Sequence, residues 1–385
     1  MIWINFLHLY QPANSDPYNI KEATERSYER LVRALEKNPH IKFTLNISGC
    51  LLLRWEELGY LDLMNRIKKL AERGQIEITG TAAYHGLLPL LPAEEVRAQI
   101  KTNENIVRQF LGKKIKLRGF FLPEMAYSPA VAKIVKKLGY RWLILDEIAY
   151  NGRFDQVNFN EVCTDRNSGL KIVFRSRRFS NSYVPDHLEE FLENNKIVIT
   201  GTDAELYGLR HEDPTGELEK VLKNKKIKTA LISDFIAGAG RSRLIDLVAC
   251  SWESQPTELK RNKPYILWSD KNNKVQVEIW KLANFSQELV GRYYRDDNYD
   301  WARWHLVRGL ASCTFWWASG RDFSHNFGPY AWSPDEIERG LNELIRAVRS
   351  LHDVTTRPMK IKAEKMYIKI KEMIWKKHWH EHWQK

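Results

Sequence analysis

Cysteine is scarce in this 385-residue sequence: Cys50, Cys163, Cys250 and Cys313 are the four there are. They lie far apart with no C-x-x-C spacing, so neither a disulfide framework nor a cysteine zinc site is signalled, and they read as buried free thiols. Long apolar runs are missing too. None approaches the roughly 18 residues that a membrane helix needs, so no membrane partner is expected. The chain has no G-x-x-x-x-G-K-[ST] loop, no G-x-G-x-x-G after its first strand and no H-E-x-x-H. Nucleotide cofactors are therefore not expected, and neither a cofactor nor a metal is assigned. The opening MIWINFLHLY lacks a positive n-region and a small-residue cleavage site, reads as the first strand, and leads to an expected cytoplasmic location.

What is present describes a globular protein with a large core. Hydrophobic residues make up 43% and charged residues 28%, with a mean hydropathy of −0.48, which suits a water-facing surface over buried apolar layers. The formal charge of +12 raises the question of a polyanionic partner. The basic residues are spread through helices, with some concentration after Arg357, so they read as a solvated surface; no nucleic-acid partner is expected. Their abundance with Glu would also suit work at high temperature. Fourteen tryptophans and 16 tyrosines supply flat amphipathic surfaces of the kind that pack on sugar rings as well as filling cores.

Strands alternate with helical patterns to about residue 235. The strand candidates are Ile2–Leu7, Ile41–Ile47, Gln75–Thr79, Leu117–Leu122, Trp142–Leu145, Lys171–Phe174, Lys196–Thr200 and Lys228–Ile232. Helical patterns such as Asn19–Glu36, Leu61–Arg73 and Ala93–Leu111 fall between them, the last two followed by Gly74 and Gly112 as stops. This alternation predicts parallel βα units closing into a barrel of seven or eight strands. A break falls at Gly238-Ala239-Gly240. Pro264–Trp280 is mixed, with a turn at Asp270–Asn273, and helices are expected near Asn298–Trp317, Ser333–Leu351 and Arg357–Trp383. Two domains are therefore expected: a catalytic barrel over residues 1–240, and a mainly helical part over 241–385 that packs on it and closes the site.

Strand ends carry the chemistry. Glu124 follows the apolar run Leu117–Leu122 and Pro123, and Ser128-Pro129 reads as an N-cap with proline at the first helical position. His8, Asn46, Ser48, His85, Asp146 and Asp203 stand after other strands in the same way. In a parallel barrel these positions share the C-terminal rim, where chemistry is done. Glu124, Asp203, His8 and His85 converging there, with no nucleophilic Ser or Cys motif, point to acid/base work on an acetal bond, of which glycoside hydrolysis is the natural case. Asp146-Glu147 reads as shaping the rim.

These residues resemble glycoside hydrolase family 57. His8 to Pro12 (HLYQP) looks like the family's His-x-His-Gln-Pro, with Tyr10 for the second His. GQIEITGTAAYHGLLPLL, Gly74 to Leu91, is similar to its second region, with Gly86 where proline is common, and Asn46–Gly49 to its second strand. FLPEMAYS matches the third region and would make Glu124 the nucleophile. TDAELYG matches the fourth and would make Asp203 the general acid with Glu205 its companion, Ala204 standing for Gly. SCTFWWASG, Ser312 to Gly320, looks like the aromatic fifth region. The resemblance implies an α/β fold with an incomplete (β/α)7 barrel followed by a C-terminal helical bundle. It also implies a retaining α-glycosidase acting on oligo- or polysaccharide α-glucans, of α-amylase or 4-α-glucanotransferase type. His8, His85 and Glu205 would bind sugar hydroxyls, and Trp316 or Trp317 would stack on the ring. Arg210 and His211 follow the fourth region where several members have an aromatic.

An α-galactosidase of the same family and a catalytically silent glycan-binding relative are the alternatives. A metal-dependent sugar deacetylase would need a His-x-x-x-His pair, which the barrel half lacks. In the tail, His378 and His382 have that spacing beside Trp375, Trp379 and Trp383, but two helical histidines leave a metal short of ligands. The stretch reads as a packing stripe with exposed histidines.

Overall fold

An eight-residue run that is apolar on both faces suits the middle of a parallel sheet, and Ile2–Leu9 takes that place with every residue after the first buried. A computed structural model describes residues 2–321 and 331–382. Among them the strands are β1 (Ile2–Leu9), β2 (Phe43–Ile47), β3 (Ile76–Thr79), β4 (Gly119–Phe120), β5 (Trp142–Asp146), β6 (Cys163–Asp165), β7 (Lys171–Arg175), β8 (Ile197–Asp203), β9 (Lys228–Thr229) and β10 (Arg243–Ile245). By internal contacts the chain divides into two compact units, Met1–Ala83 with Leu88–Asn262, and Tyr84–Leu87 with Lys263–Lys385.

The strands of the first unit form two arcs. One runs β3-β2-β1-β8, with β9 also beside β1; the other runs β10-β6-β7-β5-β4. Pairing is parallel except between β6 and β7. Single points of contact join the arcs. At one seam Gly80 N–H donates to Gly119 O (2.9 Å) and Phe121 N–H to Gly80 O (2.8 Å); at the other Ser176 N–H donates to Ile199 O (3.0 Å). β1, β2, β3, β4, β5, β7 and β8 thereby make the incomplete (β/α)7 barrel, followed in sequence by a helical region. The glycines of the first seam have a steric reason. A Cβ on Gly80 would lie 2.3 Å from Tyr140 Oη and one on Gly119 2.1 Å from Trp142 Cζ2, so only a bare backbone leaves room for those rings.

Inside the barrel, Ile4, Phe6, Phe121, Met125, Trp142, Ile144, Val173 and Ile199 pack as one cluster. Burying each large side chain of this kind stabilises the fold by about 1.5–3 kcal/mol. The connecting helices follow their sequence patterns. Ala93–Leu111 buries Val96, Ile100, Asn103, Ile106 and Val107 on one stripe and stops at Gly112, whose φ is 101°. Ser128 caps Pro129–Lys137, its Oγ accepting from Val131 N–H at 3.3 Å.

Several expected elements come out shorter. β4 keeps two residues of Leu117–Leu122, and β9 two of Lys228–Ile232, because Ile232 already starts the helix Ile232–Gly238. β6 and β10 are three residues each, too short to show a period in sequence.

In the second unit, helices span Lys274–Arg292, Tyr299–Gly309, Ser312–Trp316, Pro334–Ser350 and Asp353–Lys377. The helix expected over Asn298–Trp317 is thus interrupted at Leu310-Ala311. Bare backbone again sets a close approach: a Cβ on Gly340 would meet Thr314 at 2.3 Å. The expected turn at Asp270–Asn273 closes with Asn273 N–H on Asp270 O (3.0 Å). The tail departs from a packing stripe with exposed histidines. Trp379 is 58% exposed, while His378 is half-buried with its Nδ1 3.2 Å from the Trp332 indole N–H. Trp383 and the side chain of His382 lie outside the described residues. Among the described residues, no helix is long and apolar enough to cross a membrane.

Candidate active site

The site grows from the end of β1. His8 lies in register with Asn46 on β2 and Asp203 on β8, so the pleat presents all three at the same level. Asn46 Nδ2 donates to Thr79 Oγ1 at 3.0 Å, which leaves Asn46 Oδ1 as the atom 2.8 Å from His8 Nδ1. That oxygen can only accept, so His8 carries its proton on Nδ1. Burial pushes the imidazole down to about 4, against the opposing pull of Asp203, so it is neutral near pH 7. Its ring packs on Phe121 (4.5 Å) and stacks on Tyr10 (5.6 Å, 13°).

Glu124 stands in the turn after β4. Its φ of 60° and ψ of 18°, followed by a φ of 46° at Met125, put two successive non-glycine residues in the left-handed region. Each costs on the order of 1–3 kcal/mol, so the surroundings must hold them. Trp252 touches Glu124 twice: its N–H donates to Glu124 O at 3.0 Å and its indole Nε1–H to Glu124 Oε2 at 2.9 Å. The Trp252 ring lies 6.4 Å from that of His8 and 5.9 Å from that of Phe121. On its face sits the Arg175 guanidinium, 4.9 Å from the centroid. Arg175 donates to Asp146 Oδ2 (2.9 Å) and Gly201 O (2.6 Å), while Arg177 donates to Asp146 Oδ1 (2.8 Å) and Ser254 O (2.9 Å). The fully buried Asp146 is therefore the counter-charge of two arginines.

Asp203 ends β8, and the short turn Ala204–Leu206 brings Glu205 beside it. Glu205 Oε1 accepts from Gln11 Nε2 (2.6 Å) and Tyr28 Oη (2.9 Å). Arg210 bridges the two acids, donating to Asp203 Oδ2 at 3.0 Å and to Glu205 Oε2. Burial pushes the Glu205 carboxyl up from its ordinary range, Arg210 pulls it back, and Asp203 pushes it up again. The loop carrying Arg210 is built in. Arg210 N–H bonds Glu205 O (2.8 Å), and Gly208 (φ 132°) passes so close to the Arg26 carbonyl that a Cβ would stand 2.3 Å from it.

Of the residues expected from sequence, Glu124, Asp203, His8 and Glu205 lie in the first unit, with Asp203 in register with His8 and bridged to Glu205 by Arg210. His85, Trp316 and Trp317 belong to the second. There His85 Nδ1 lies 2.9 Å from Ser312 Oγ, Ser312 N–H donates to His85 O (2.9 Å), and the Trp316 and Trp317 rings meet edge to face at 4.6 Å. Trp252, Arg175 and Tyr28 escaped the sequence reading because no motif marks them; Gln11 lay inside HLYQP and was readable there. Asp146-Glu147 has an internal role: Glu147 accepts the backbone N–H groups of Asp155 (2.9 Å) and Arg177 (2.8 Å). Among the described residues, no three His, Cys, Asp or Glu side chains group as a cation site.

The family model described as Glycosyl hydrolase family 57 matches residues 5–248, more than half of the chain. The chain belongs to this family. Curated relatives include an alpha-amylase of Pyrococcus horikoshii, 30% identical over 147 residues, which are 37% of this chain and 23% of that protein. A 4-alpha-glucanotransferase of Thermococcus litoralis is 31% identical over 147 residues, 37% of this chain and 22% of that protein. The matched stretch thus spans less than a quarter of these relatives. Solved structures of the family share the fold. A GH57-type branching enzyme from Pyrococcus horikoshii superposes with a TM-score of 0.73 at 17% identity, covering 96% of this chain and 94% of that one. An alpha-amylase from Thermotoga maritima gives 0.69 at 14% identity, covering 97% of each.

Proposed function

We propose that this family 57 chain is a retaining α-glycosidase acting on α-glucans, by hydrolysis or by transfer. The observation that carries the reading is two carboxylates near one neutral imidazole, His8: Asp203, at the end of β8, is in register with it, and Glu124, in the turn after β4, is bonded to Trp252, whose ring lies 6.4 Å from that of His8. A Glu124 oxygen bonds to the anomeric carbon as the glycosidic C–O bond breaks, and the departing oxygen takes the proton of Asp203. In the second half-reaction Asp203 takes a proton from water, or from a sugar hydroxyl, whose oxygen then displaces Glu124. Two inversions leave the anomeric configuration retained.

His8, neutral and oriented by Asn46 at Nδ1, is proposed to contact a sugar hydroxyl. Glu205, whose Oε1 is taken up by Gln11 and Tyr28, would meet a sugar hydroxyl through Oε2, which it shares with Arg210. For His85, Trp316 and Trp317 a sugar-contacting role is proposed on the motifs alone. α-Glucan is favoured as substrate because the curated relatives carry alpha-amylase and 4-alpha-glucanotransferase names. One feature favours a catalytically silent glycan-binding relative as a second reading: Tyr10 stacks on His8 where the family pattern has a second imidazole.

The test is the product profile on maltoheptaose beside Glu124→Gln and Asp203→Asn. Shorter sugars from the parent and none from the folded variants support the reading, with longer products identifying a transferase. Activity on α-galactosides alone changes the substrate class, and sugar binding without turnover of either substrate moves the assignment to the second reading. Full activity in Glu124→Gln refutes the mechanism.

A further inference from the structure

We propose that Trp252 sets the attack geometry of Glu124, and that Arg175, anchored on Asp146, holds Trp252 for this task. The inference rests on the reading of Glu124 as nucleophile and adds a positioning residue to it.

Glu124 has two freedoms that would spoil an in-line attack: the left-handed turn can relax, and the carboxylate can rotate about its last bond. Trp252 opposes both from one residue. Its backbone N–H holds the Glu124 carbonyl at 3.0 Å, and its indole N–H holds Oε2 at 2.9 Å. With Oε2 fixed, the plane of the carboxylate and the direction of the other oxygen are fixed as well. A near-attack arrangement depends on such orientation.

Trp252 can act as a clamp because it is itself immobile. It is 9% exposed, its ring is bounded by Phe121 and His8, and the Arg175 guanidinium covers a face. Arg175 cannot drift, since its Nε is bonded to the buried Asp146 and its Nη1 to the Gly201 carbonyl. The backbone around Trp252 is tied down by the reciprocal bonds between Tyr127 and Cys250, at 2.8 and 3.3 Å. Orientation thus passes from β5 through β7 to a tryptophan that lies 128 residues beyond the carboxylate in sequence.

The donor also separates the two half-reactions. When Glu124 forms its ester with the sugar, negative charge leaves the carboxylate; when the ester breaks, that charge returns, and an N–H aimed at Oε2 receives it. Loss of the donor should therefore slow ester breakdown as well as attack, and the covalent glycosyl-enzyme should accumulate. A residue that only supported the fold would not produce that pattern.

The experiment replaces Trp252 by β-(3-benzothienyl)alanine, which has the shape of tryptophan without the N–H, beside Trp252→Phe, Glu124→Gln and Asp203→Asn. The substrate is whichever glycoside the parent turns over. With the thermal midpoint unchanged, kcat should fall roughly 10- to 100-fold, the effect of one charge-assisted hydrogen bond. KM should fall with it, and rapid acid quench should show more glycosyl-enzyme by intact mass. A benzothienyl variant with kcat within about twofold of the parent overturns the inference. If Glu124→Gln is dead in that same experiment, the nucleophile reading survives; if Glu124→Gln is active, that reading fails first and independently.

Discussion

Replacing Arg210 by methionine should destabilise the protein by an amount that depends on pH. The substitution keeps the aliphatic stem and removes the guanidinium that bridges Asp203 and Glu205. Glu205 is 5% exposed, and burial raises its carboxyl above the unfolded value while Arg210 is the largest influence opposing that rise. A carboxyl raised on folding contributes its stability below the unfolded pKa and loses it as pH climbs through the folded one. Without Arg210 the rise is larger, so the loss at neutral pH is larger. One unit corresponds to about 1.4 kcal/mol. The guanidinium is 51% exposed and screened by water, and Gln11 and Tyr28 still donate, so about 1 kcal/mol is expected at pH 7.5. At pH 4, where Glu205 is largely protonated, the gap between parent and variant should close. Guanidinium denaturation of both proteins at the two pH values measures it. An equal gap at pH 4 and pH 7.5 would show that Arg210 supports the loop by packing and not by charge, and would refute the argument.

His8, pushed down to about 4 by burial, should make the fold lose stability as pH falls from about 6.5 toward 4, by up to about 3 kcal/mol. His8→Phe should flatten the denaturation midpoint over that window, and an unchanged slope would count against a buried neutral imidazole. Asp146→Asn leaves Arg175 and Arg177 without their shared counter-charge, and should cost about 3–5 kcal/mol in chemical denaturation. Gly119→Ala drives a methyl into the Trp142 ring at the β3–β4 seam; a loss of about 1–3 kcal/mol is expected, with faster amide exchange at Gly80 and Phe121 than elsewhere in the barrel.

Much of the barrel was written locally. The buried strands β1, β2, β5 and β7 are near-continuous apolar runs, and the helix over Ala93–Leu111 begins and ends where its pattern and Gly112 place it. The Ser128-Pro129 cap was equally legible, because an N-cap is a contact between residues three apart. Glu124, Asp203 and His8 could be named as candidates since each follows a readable strand, and parallel strands end on one rim. β6 and β10 could not, being three residues long and defined by their partners.

What only the tertiary structure decided lies in contacts between distant segments. Asp146 read as a rim acid, yet it is a buried anchor, because Arg175 and Arg177 come to it from the end of β7 and the turn that follows. Trp252 carried no motif and became a neighbour of Glu124 only when Cys250 paired with Tyr127. Closure of the ring likewise depends on two seams of a few hydrogen bonds, one of them open only because Gly80 and Gly119 lack a Cβ. Local propensity and periodicity determine where strands and helices begin; which buried charge meets which partner is a property of the packed barrel, and a linear pattern carries no record of it.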